Sequence, residues 1–121
     1  MSETNDLIII GAGPAGLACA IEAEAAGLDC VVLEKGCVVN SIFHFPRNLV
    51  FFSSPERLEL ARMPFTTTAR KPSRAETIEY YRRVVDRFSI RVRQYERVIA
   101  LDRLQPDRLR PFLVTSVKGS R

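Results

Sequence analysis

One short segment near the N-terminus constrains the fold more than any other. It runs from Asp6 to Glu34 and reads DLIIIGAGPAGLACAIEAEAAGLDCVVLE. An apolar run precedes a glycine-rich turn, an alanine-rich stretch follows, and a second apolar run leads to an acid. Apolar runs of this length are typical of strands that are buried on both faces of a parallel sheet. The segment therefore predicts a strand, a helix and a second parallel strand, joined by a tight glycine turn.

The glycine turn has the G-x-G-x-x-G spacing of a dinucleotide-binding loop. Gly11 permits the tight turn, Gly13 lets the backbone approach a pyrophosphate, and Gly16 lets the helix pack closely on the strand. The unpaired N–H groups of the first helical turn attract phosphate. Glu34 lies 18 residues beyond Gly16, where an acid can accept hydrogen bonds from ribose hydroxyls. A purely packing role would explain the glycines but not the position of Glu34.

The composition limits the classes of protein that this chain can be. Its 121 residues make one domain at most, and no apolar run is long enough to span a membrane. Three cysteines without a C-x-x-C motif and a single histidine exclude a disulfide framework and a zinc site. The start, MSETND, lacks the features of a signal peptide. We expect a cytoplasmic protein without a metal ion or a membrane partner.

The charge is distributed unevenly along the chain. Residues 1–46 carry six acids and one base, whereas residues 47–121 carry seventeen bases and eight acids. An arginine-rich half could attract nucleic acid, but its bases are interspersed with acids and match no nucleic-acid motif. We expect a solvated surface, or one that attracts phosphate-bearing ligands, and no nucleic-acid partner.

The rest of the chain adds an irregular loop, a second helix and a hairpin. Residues 35–46 are apolar without a regular period, and residues 49–52 are a candidate short strand before a helical turn at residues 54–60. Ser73 and Glu76 form a capping-box pattern that predicts a helix, on which Tyr80 and Tyr81 are expected to pack. Residues 90–93, 95–104 and 112–118 are predicted strands, with a turn at residues 105–111. The order predicts an α/β fold: a Rossmann-like parallel sheet flanked by helices, with a small antiparallel β-hairpin.

Four side chains outside the glycine turn are candidates for chemistry, and each has a simpler explanation. Cys19 and Cys30 are expected to be small buried apolar residues. Cys37 has no partner for redox or metal chemistry, and His44 could act as an acid or as a neighbour of a bound ring. A structural hydrogen bond is the more common role of such a histidine.

Taken together, these segments resemble the FAD-binding domain of the pyridine nucleotide-disulphide oxidoreductases, in their thioredoxin-reductase-like branch. The glycine segment resembles the FAD motif of that superfamily. VVNSIFHFPRNLVFFSS, MPF and KPSRAETIEYYRRVV resemble the bacillithiol-disulfide-reductase-like flavoproteins more narrowly. The resemblance extends from Asp6 to Val117. It implies that residues 1–121 are the N-terminal part of an incomplete FAD/NAD(P)-binding domain, without the NADPH-binding domain of the family.

The resemblance also implies roles for individual residues. Glu34 would bind the adenosine ribose with Lys35 beside it, Ser41 would approach the flavin, and Val98 would contact the adenine edge through its backbone. The residues implied at the FAD pyrophosphate are Gly11, Gly13, Pro14, Ala15 and Gly16. Some relatives have a cysteine at the position of Ala15. Because this chain has alanine there, it cannot use a thiol mechanism at that position. The resemblance implies no catalytic residue.

The implied activity belongs to a longer parent protein. It is an FAD-dependent oxidoreductase that passes hydride from NADPH to a disulfide, either of a low-molecular-weight thiol or of a thioredoxin-like acceptor. A homodimer is expected by the same resemblance. Two alternatives stay open: a flavin monooxygenase-like protein, which begins with a similar motif, and a non-catalytic dinucleotide-binding module.

Overall fold

The chain forms a three-stranded parallel sheet, a separate two-stranded hairpin and four helices in a computed structural model that describes residues 3–104 and 112–119. The elements in chain order are β1 (Leu7–Ile10), α1 (Pro14–Ala25), β2 (Cys30–Leu33), α2 (Asn40–Phe43), α3 (Pro55–Leu58), α4 (Arg74–Arg87), β3 (Val92–Arg93), β4 (Glu96–Arg103) and β5 (Phe112–Lys118).

The parallel sheet has the strand order β1-β2-β3. Leu7 lies opposite Cys30, and Val32 lies opposite Val92. In the hairpin, β4 and β5 are antiparallel, and the register shifts between Val98 and Ala100. The predicted α/β architecture with an antiparallel hairpin is therefore confirmed. The predicted turn at residues 105–111 lies outside the described residues.

Helix α4 begins where the capping-box pattern predicted. The Ser73 hydroxyl accepts a hydrogen bond from the Glu76 N–H at 3.1 Å, and the Glu76 carboxylate accepts one from the Ser73 N–H at 3.2 Å. These two bonds satisfy backbone donors that a helix start otherwise leaves unpaired. Tyr80 and Tyr81 are buried on this helix, and burial, more than the neighbouring Tyr80, raises the pKa of Tyr81 to about 12.

The hydrophobic core lies between the parallel sheet, α1 and α4. Its central members are the fully buried residues Leu17, Val32, Val39, Tyr81 and Val84. Ile42 belongs to it as well, so part of the irregular apolar loop after Glu34 packs against the core as expected.

In the described parts of the chain, no helix has the length and apolarity that crossing a membrane requires.

Three local predictions were wrong. Strand β1 is not buried on both faces: Ile9 packs into the core, whereas Ile10, on the opposite face, is 57% exposed. Cys19 is exposed, because α1 buries the opposite face, which carries Leu17 and Ile21. Cys30 is partly buried, closer to its expected environment.

The third error concerns residues 49–52, which do not form a strand. They make a single antiparallel bridge, between Val50 and Ser73. The Phe51 N–H donates to the Pro72 carbonyl, and the Arg74 N–H donates to the Leu49 carbonyl, both at 2.9 Å. The pairing cannot extend further because Pro72 has no N–H to donate and the chain enters α4 at Arg74.

Candidate dinucleotide-binding site

The glycine turn joins the end of β1 to the start of α1. Gly11 has φ +106°, a conformation that side chains disfavour, and its N–H donates to the Leu33 carbonyl at 2.8 Å. Gly13 is the N-cap of α1, where no side chain caps the helix, and Pro14 occupies the first turn. The N–H groups that follow Pro14 therefore belong to a helix start whose backbone donors suit an anion.

The glycines at positions 13 and 16 are required for different reasons. A Cβ atom at Gly16 would overlap the carbonyl oxygen of Gly11, so the protein's own packing requires glycine there. A Cβ atom at Gly13 would meet no protein atom within 4 Å, and the φ of −78° suits any residue. Packing alone thus explains Gly16 but leaves Gly13 unexplained.

Glu34 lies at the end of β2, and it is buried with 6% of its surface exposed. One carboxylate oxygen accepts a hydrogen bond from the Ala12 N–H at 3.1 Å, and the other accepts one from the Gly36 N–H. The acid therefore connects the glycine turn to the loop after β2. A carboxylate has about four acceptor positions, so two remain for other donors.

A cleft of about 350 Å³ brings four of the predicted site residues together. It is lined by Ile10, Gly11, Leu33, Glu34, Lys35, Glu96, Arg97 and Val98. The start of β4 is held there by two backbone bonds, from the Glu96 N–H to the Glu34 carbonyl at 2.9 Å and from the Tyr95 N–H to the Gly36 carbonyl at 3.0 Å. Val98 thus reaches the cleft through β4, although it is 64 residues from Glu34 in the sequence.

The other five predicted site residues lie outside that lining: Gly13, Pro14, Ala15, Gly16 and Ser41. Pro14 and Ala15 form the first turn of α1, directly after Gly13. Ser41 is an exposed residue of α2. The Val39 N–H donates to the Ala12 carbonyl at 2.9 Å, and this bond ties the start of α2 to the glycine turn. The structure therefore places Ser41 on a helix that is anchored to the glycine turn through Ala12.

The sequence analysis missed four residues that shape this site. Glu96 and Arg97 line the cleft, and the Glu96 carboxylate accepts a hydrogen bond from the Ser116 hydroxyl at 2.9 Å. Gln94 accepts a bond from the Val38 N–H at 3.0 Å and so holds the loop after Glu34. Asn40 packs so closely on Gly36 that a Cβ atom there would overlap its side chain. The only signal available for these residues was the glycine at position 36, two residues after the acid.

Neither Cys37 nor His44 lines the cleft described above. Cys37 is buried, with its sulfur 3.6 Å from the Asn40 side-chain oxygen. His44 is exposed, and its ring meets the Phe43 ring edge-on at a centroid distance of 5.4 Å. Over residues 3–104 and 112–119 there is no group of three or more potential metal ligands.

Comparison with known proteins shows the family and the fold of the chain. The family model described as pyridine nucleotide-disulphide oxidoreductase matches residues 8–120. The chain belongs to this family. The fold and the relationship expected from the sequence are thereby confirmed. A curated member of the family, bacilliredoxin reductase Bdr of Bacillus subtilis (strain 168), is 51% identical over 80 residues, which cover 66% of this chain and 25% of the relative.

Solved structures extend the comparison to almost the whole chain. Bacillithiol disulfide reductase Bdr from Bacillus cereus is 42% identical with a TM-score of 0.89, over 98% of this chain and 36% of that one. A flavin-containing monooxygenase from Stenotrophomonas maltophilia has a TM-score of 0.85 over 98% of this chain and 36% of that one, at 21% identity, which shows a shared fold alone. This member of the family therefore spans about a third of the length of the solved structures that it matches.

Proposed function

We propose that this chain is the FAD-binding part of a flavin-dependent oxidoreductase that passes hydride from NADPH to a disulfide. The observation that carries the proposal is the glycine at position 13, which packing does not require and which lies at the uncapped start of α1. A bound pyrophosphate explains it, because phosphate oxygens can then approach the backbone without meeting a Cβ atom. The similarity to the two Bdr reductases supports the flavoenzyme class.

The residues fit FAD as the ligand. Gly11, Gly13 and Pro14 shape the turn, and the N–H groups of Ala15 and Gly16 face the pyrophosphate. The two remaining acceptor positions of Glu34 receive the ribose hydroxyls while Ala12 and Gly36 hold the carboxylate in place.

The remaining site residues line the route of the cofactor away from the pyrophosphate. Lys35 lies beside the ribose, and the Val98 backbone meets the adenine edge. Ser41, on α2, approaches the flavin end. When bound, FAD supplies hydride transfer between a nicotinamide and a disulfide, while these residues bind and orient it.

The electron acceptor and the assembly belong to the whole protein. The proposed acceptor is a low-molecular-weight thiol disulfide or a thioredoxin-like disulfide, in line with the names of the Bdr relatives. NADPH would bind to regions of the family's proteins that lie outside the third of their length that this chain matches. We further propose a homodimer in the cytoplasm, where NADPH is the electron donor for such an enzyme and the reducing conditions keep Cys19, Cys30 and Cys37 free as in the structure.

The test is a titration of the 121-residue chain with FAD, in which calorimetry and the visible absorption spectrum monitor binding. We expect FAD to bind, with a red-shifted and structured flavin band, and FMN to bind at least about tenfold more weakly because it lacks the adenosine that Glu34 and Val98 receive. A folded chain that binds neither flavin would refute the assignment. Equal binding of both flavins would remove Glu34 and Val98 from the site.

The same protein separates the proposal from its alternatives. Binding of FAD without oxidation of NADPH by the chain alone agrees with a cofactor-binding part. In the full-length parent, NADPH oxidation that depends on a disulfide supports the reductase. Oxidation that depends on oxygen and a hydroxylatable substrate supports the monooxygenase, and binding without turnover by the parent supports a non-catalytic module.

A further inference from the structure

Phe52 is the most exposed large apolar side chain among the described residues, at 94%. Val50 is 58% exposed, whereas Phe51 between them is half-buried, with its ring 6.1 Å from that of Phe45. A single exposed apolar side chain is common on protein surfaces, but two that flank an anchored residue create an apolar patch. None of these residues lines the dinucleotide-binding cleft.

The backbone beneath this patch is held firmly. Bonds of 2.9 Å join Phe51 to Pro72 and Leu49 to Arg74, and they tie both sides of Val50 to the start of α4. The capping box fixes that helix start in turn. The exposed side chains are therefore presented on an ordered support, which lowers the entropy cost of binding.

Two basic residues, Arg70 and Lys71, lie beside the patch. The Lys71 ammonium lies 5.7 Å from the centroid of the Phe52 ring, within the range of a cation–π contact. An open cleft of about 700 Å³ beside it is lined by Val50, Thr68, Ala69, Arg70, Lys71, Ser73 and Glu76. The acid in this lining, Glu76, directs its two oxygens to the N–H groups of Ser73 and Thr68, both at 3.2 Å. The lining therefore carries two positive charges and one negative charge, and the negative one is already engaged by backbone N–H groups.

We propose that Val50, Phe52, Arg70 and Lys71, here called the Phe52 surface, dock an acidic segment of a partner protein. An apolar side chain of the partner packs against Phe52 and Val50, and flanking carboxylates pair with Arg70 and Lys71. Exposed aromatic residues and arginine are enriched at protein interfaces, and complementary charge speeds association and selects the partner. A membrane contact would be better served by an amphipathic helix, and residues 49–54 do not form a helix. This docking does not depend on the proposed binding of FAD.

The first test uses a fluorescein-labelled peptide that alternates Glu with Leu and Phe, followed by fluorescence anisotropy at low and physiological ionic strength. We expect binding that weakens with salt. A peptide with Gln in place of Glu, and another with Ser in place of Leu and Phe, should each bind about tenfold more weakly. Equal binding of all three peptides, or of none, would overturn the proposal.

Variants locate the binding. Phe52→Ser and the double substitution Arg70→Glu with Lys71→Glu should each weaken the acidic peptide about tenfold or more. The matched controls are Ile99→Ser, which removes a 57% exposed apolar side chain from β4, and Arg83→Glu, which reverses an exposed charge on α4. The controls should keep the wild-type affinity, and circular dichroism should show that all four variants are folded.

Two results would contradict this location. In the first, the controls weaken binding as much as the variants of the Phe52 surface do. In the second, phosphatidylglycerol vesicles bind the wild-type chain, Phe52→Ser abolishes that binding, and the acidic peptide does not bind. The second result would make the Phe52 surface a membrane contact.

Discussion

The β1–α1–β2 segment and the segment between α2 and α4 are stabilised in different ways. The first is held by backbone bonds between regular elements, such as the ladder that pairs Leu7 with Cys30 and Ile10 with Leu33. The second contains one four-residue helix. It is held to the start of α4 by two backbone bonds, at Leu49 and Phe51, and from Leu58 onward by side chains of α4. The Tyr81 hydroxyl donates to the Leu58 carbonyl at 2.9 Å, and the Tyr80 hydroxyl accepts from the Leu60 N–H at 2.9 Å.

The two kinds of contact give the two segments different rigidity. Backbone geometry leaves little freedom, so the glycine turn can present N–H groups to a phosphate with fixed spacing. Residues 58–68 of the second segment depend on a few hydroxyl and carboxylate contacts, and losing one of them should release this part locally while the sheet stays folded. Substitutions in the first segment should therefore act on the whole molecule, and those in the second on one part of it.

The largest expected effect is that of Gly16→Ala. The added methyl group overlaps the Gly11 carbonyl oxygen, so α1 must move away from β1. We expect a loss of about 3 kcal/mol in the free energy of unfolding, at the upper end of overpacking costs. Urea denaturation followed by circular dichroism measures it. An unchanged midpoint would show that the close packing of α1 on β1 does not hold the first segment together.

The next effect is that of Tyr80→Phe. Its hydroxyl also donates to the Met63 carbonyl at 2.7 Å, so the substitution leaves two backbone groups without their partner. We expect the free energy of local opening at residues 58–63 to fall by about 2 kcal/mol, and by about half of that for Tyr81→Phe, which removes one bond. Hydrogen exchange should accelerate at the Leu60 amide but not at Val32. Equal acceleration at both amides would abolish the distinction between the two segments.

A smaller effect on stability is expected for Gly13→Ala. No protein atom lies near the added methyl group, so the free energy of unfolding should fall by less than about 1 kcal/mol, the scale of an N-cap change. The affinity for FAD should nevertheless fall about tenfold or more, because the methyl group occupies the space proposed for the pyrophosphate. Calorimetric titration of both proteins measures this. Unchanged affinity would remove Gly13 from the proposed site.

The smallest effect is a pH dependence in the second segment. The hydrogen bond from the Ser73 N–H, more than the one from Thr68, lowers the pKa of Glu76 below its usual 4.5. The ionised carboxylate therefore contributes stability above about pH 4.5, and this contribution is lost as the pH falls through the lowered pKa. Solvent screens this surface group, so we expect a small contribution. The stability difference between wild type and Glu76→Ala should be present at pH 7 and absent at strongly acidic pH.

Glu79→Ala is the matched control for that experiment. Glu79 is exposed on the same helix and pairs with Arg83 at 3.0 Å, but it contacts neither Ser73 nor Thr68 through a hydrogen bond among the described residues. Its removal should leave the exchange of the Thr68 amide unchanged, whereas Glu76→Ala should accelerate it. Acceleration by both variants would mean that general helix stability, not the contact of Glu76, holds residue 68.

Much of the fold was predictable because its signals are local. The apolar run before Gly11 and the capping box at Ser73 each act within a few residues. The same holds for the backbone of the glycine turn, whereas the ligand contacts of its residues stay a prediction. Prediction failed at residues 49–52, where β-branched and aromatic residues indicate a strand but Pro72 and the helix start leave room for one bridge.

Contacts between distant residues were not predictable. Glu34 was expected to serve a ligand, yet in the structure it also holds Ala12, 22 residues away, and joins the turn to the loop at Gly36. No periodic pattern indicates such a bond, because it depends on which elements pack side by side. The Phe52 surface likewise arises from a bridge between positions 50 and 73.

The amino-acid pattern alone was enough for the glycine turn, for the kind of ligand that it suits and for the order of the elements apart from α2, since these follow from backbone sterics and local hydrogen bonds. Helix α2 formed within residues 35–46, which were expected to be an irregular loop. The meeting of β4 with Glu34 and the tethering of the irregular segment by two tyrosines emerged from packing. These contacts form between groups that are far apart in sequence, and chain folding is what selects them.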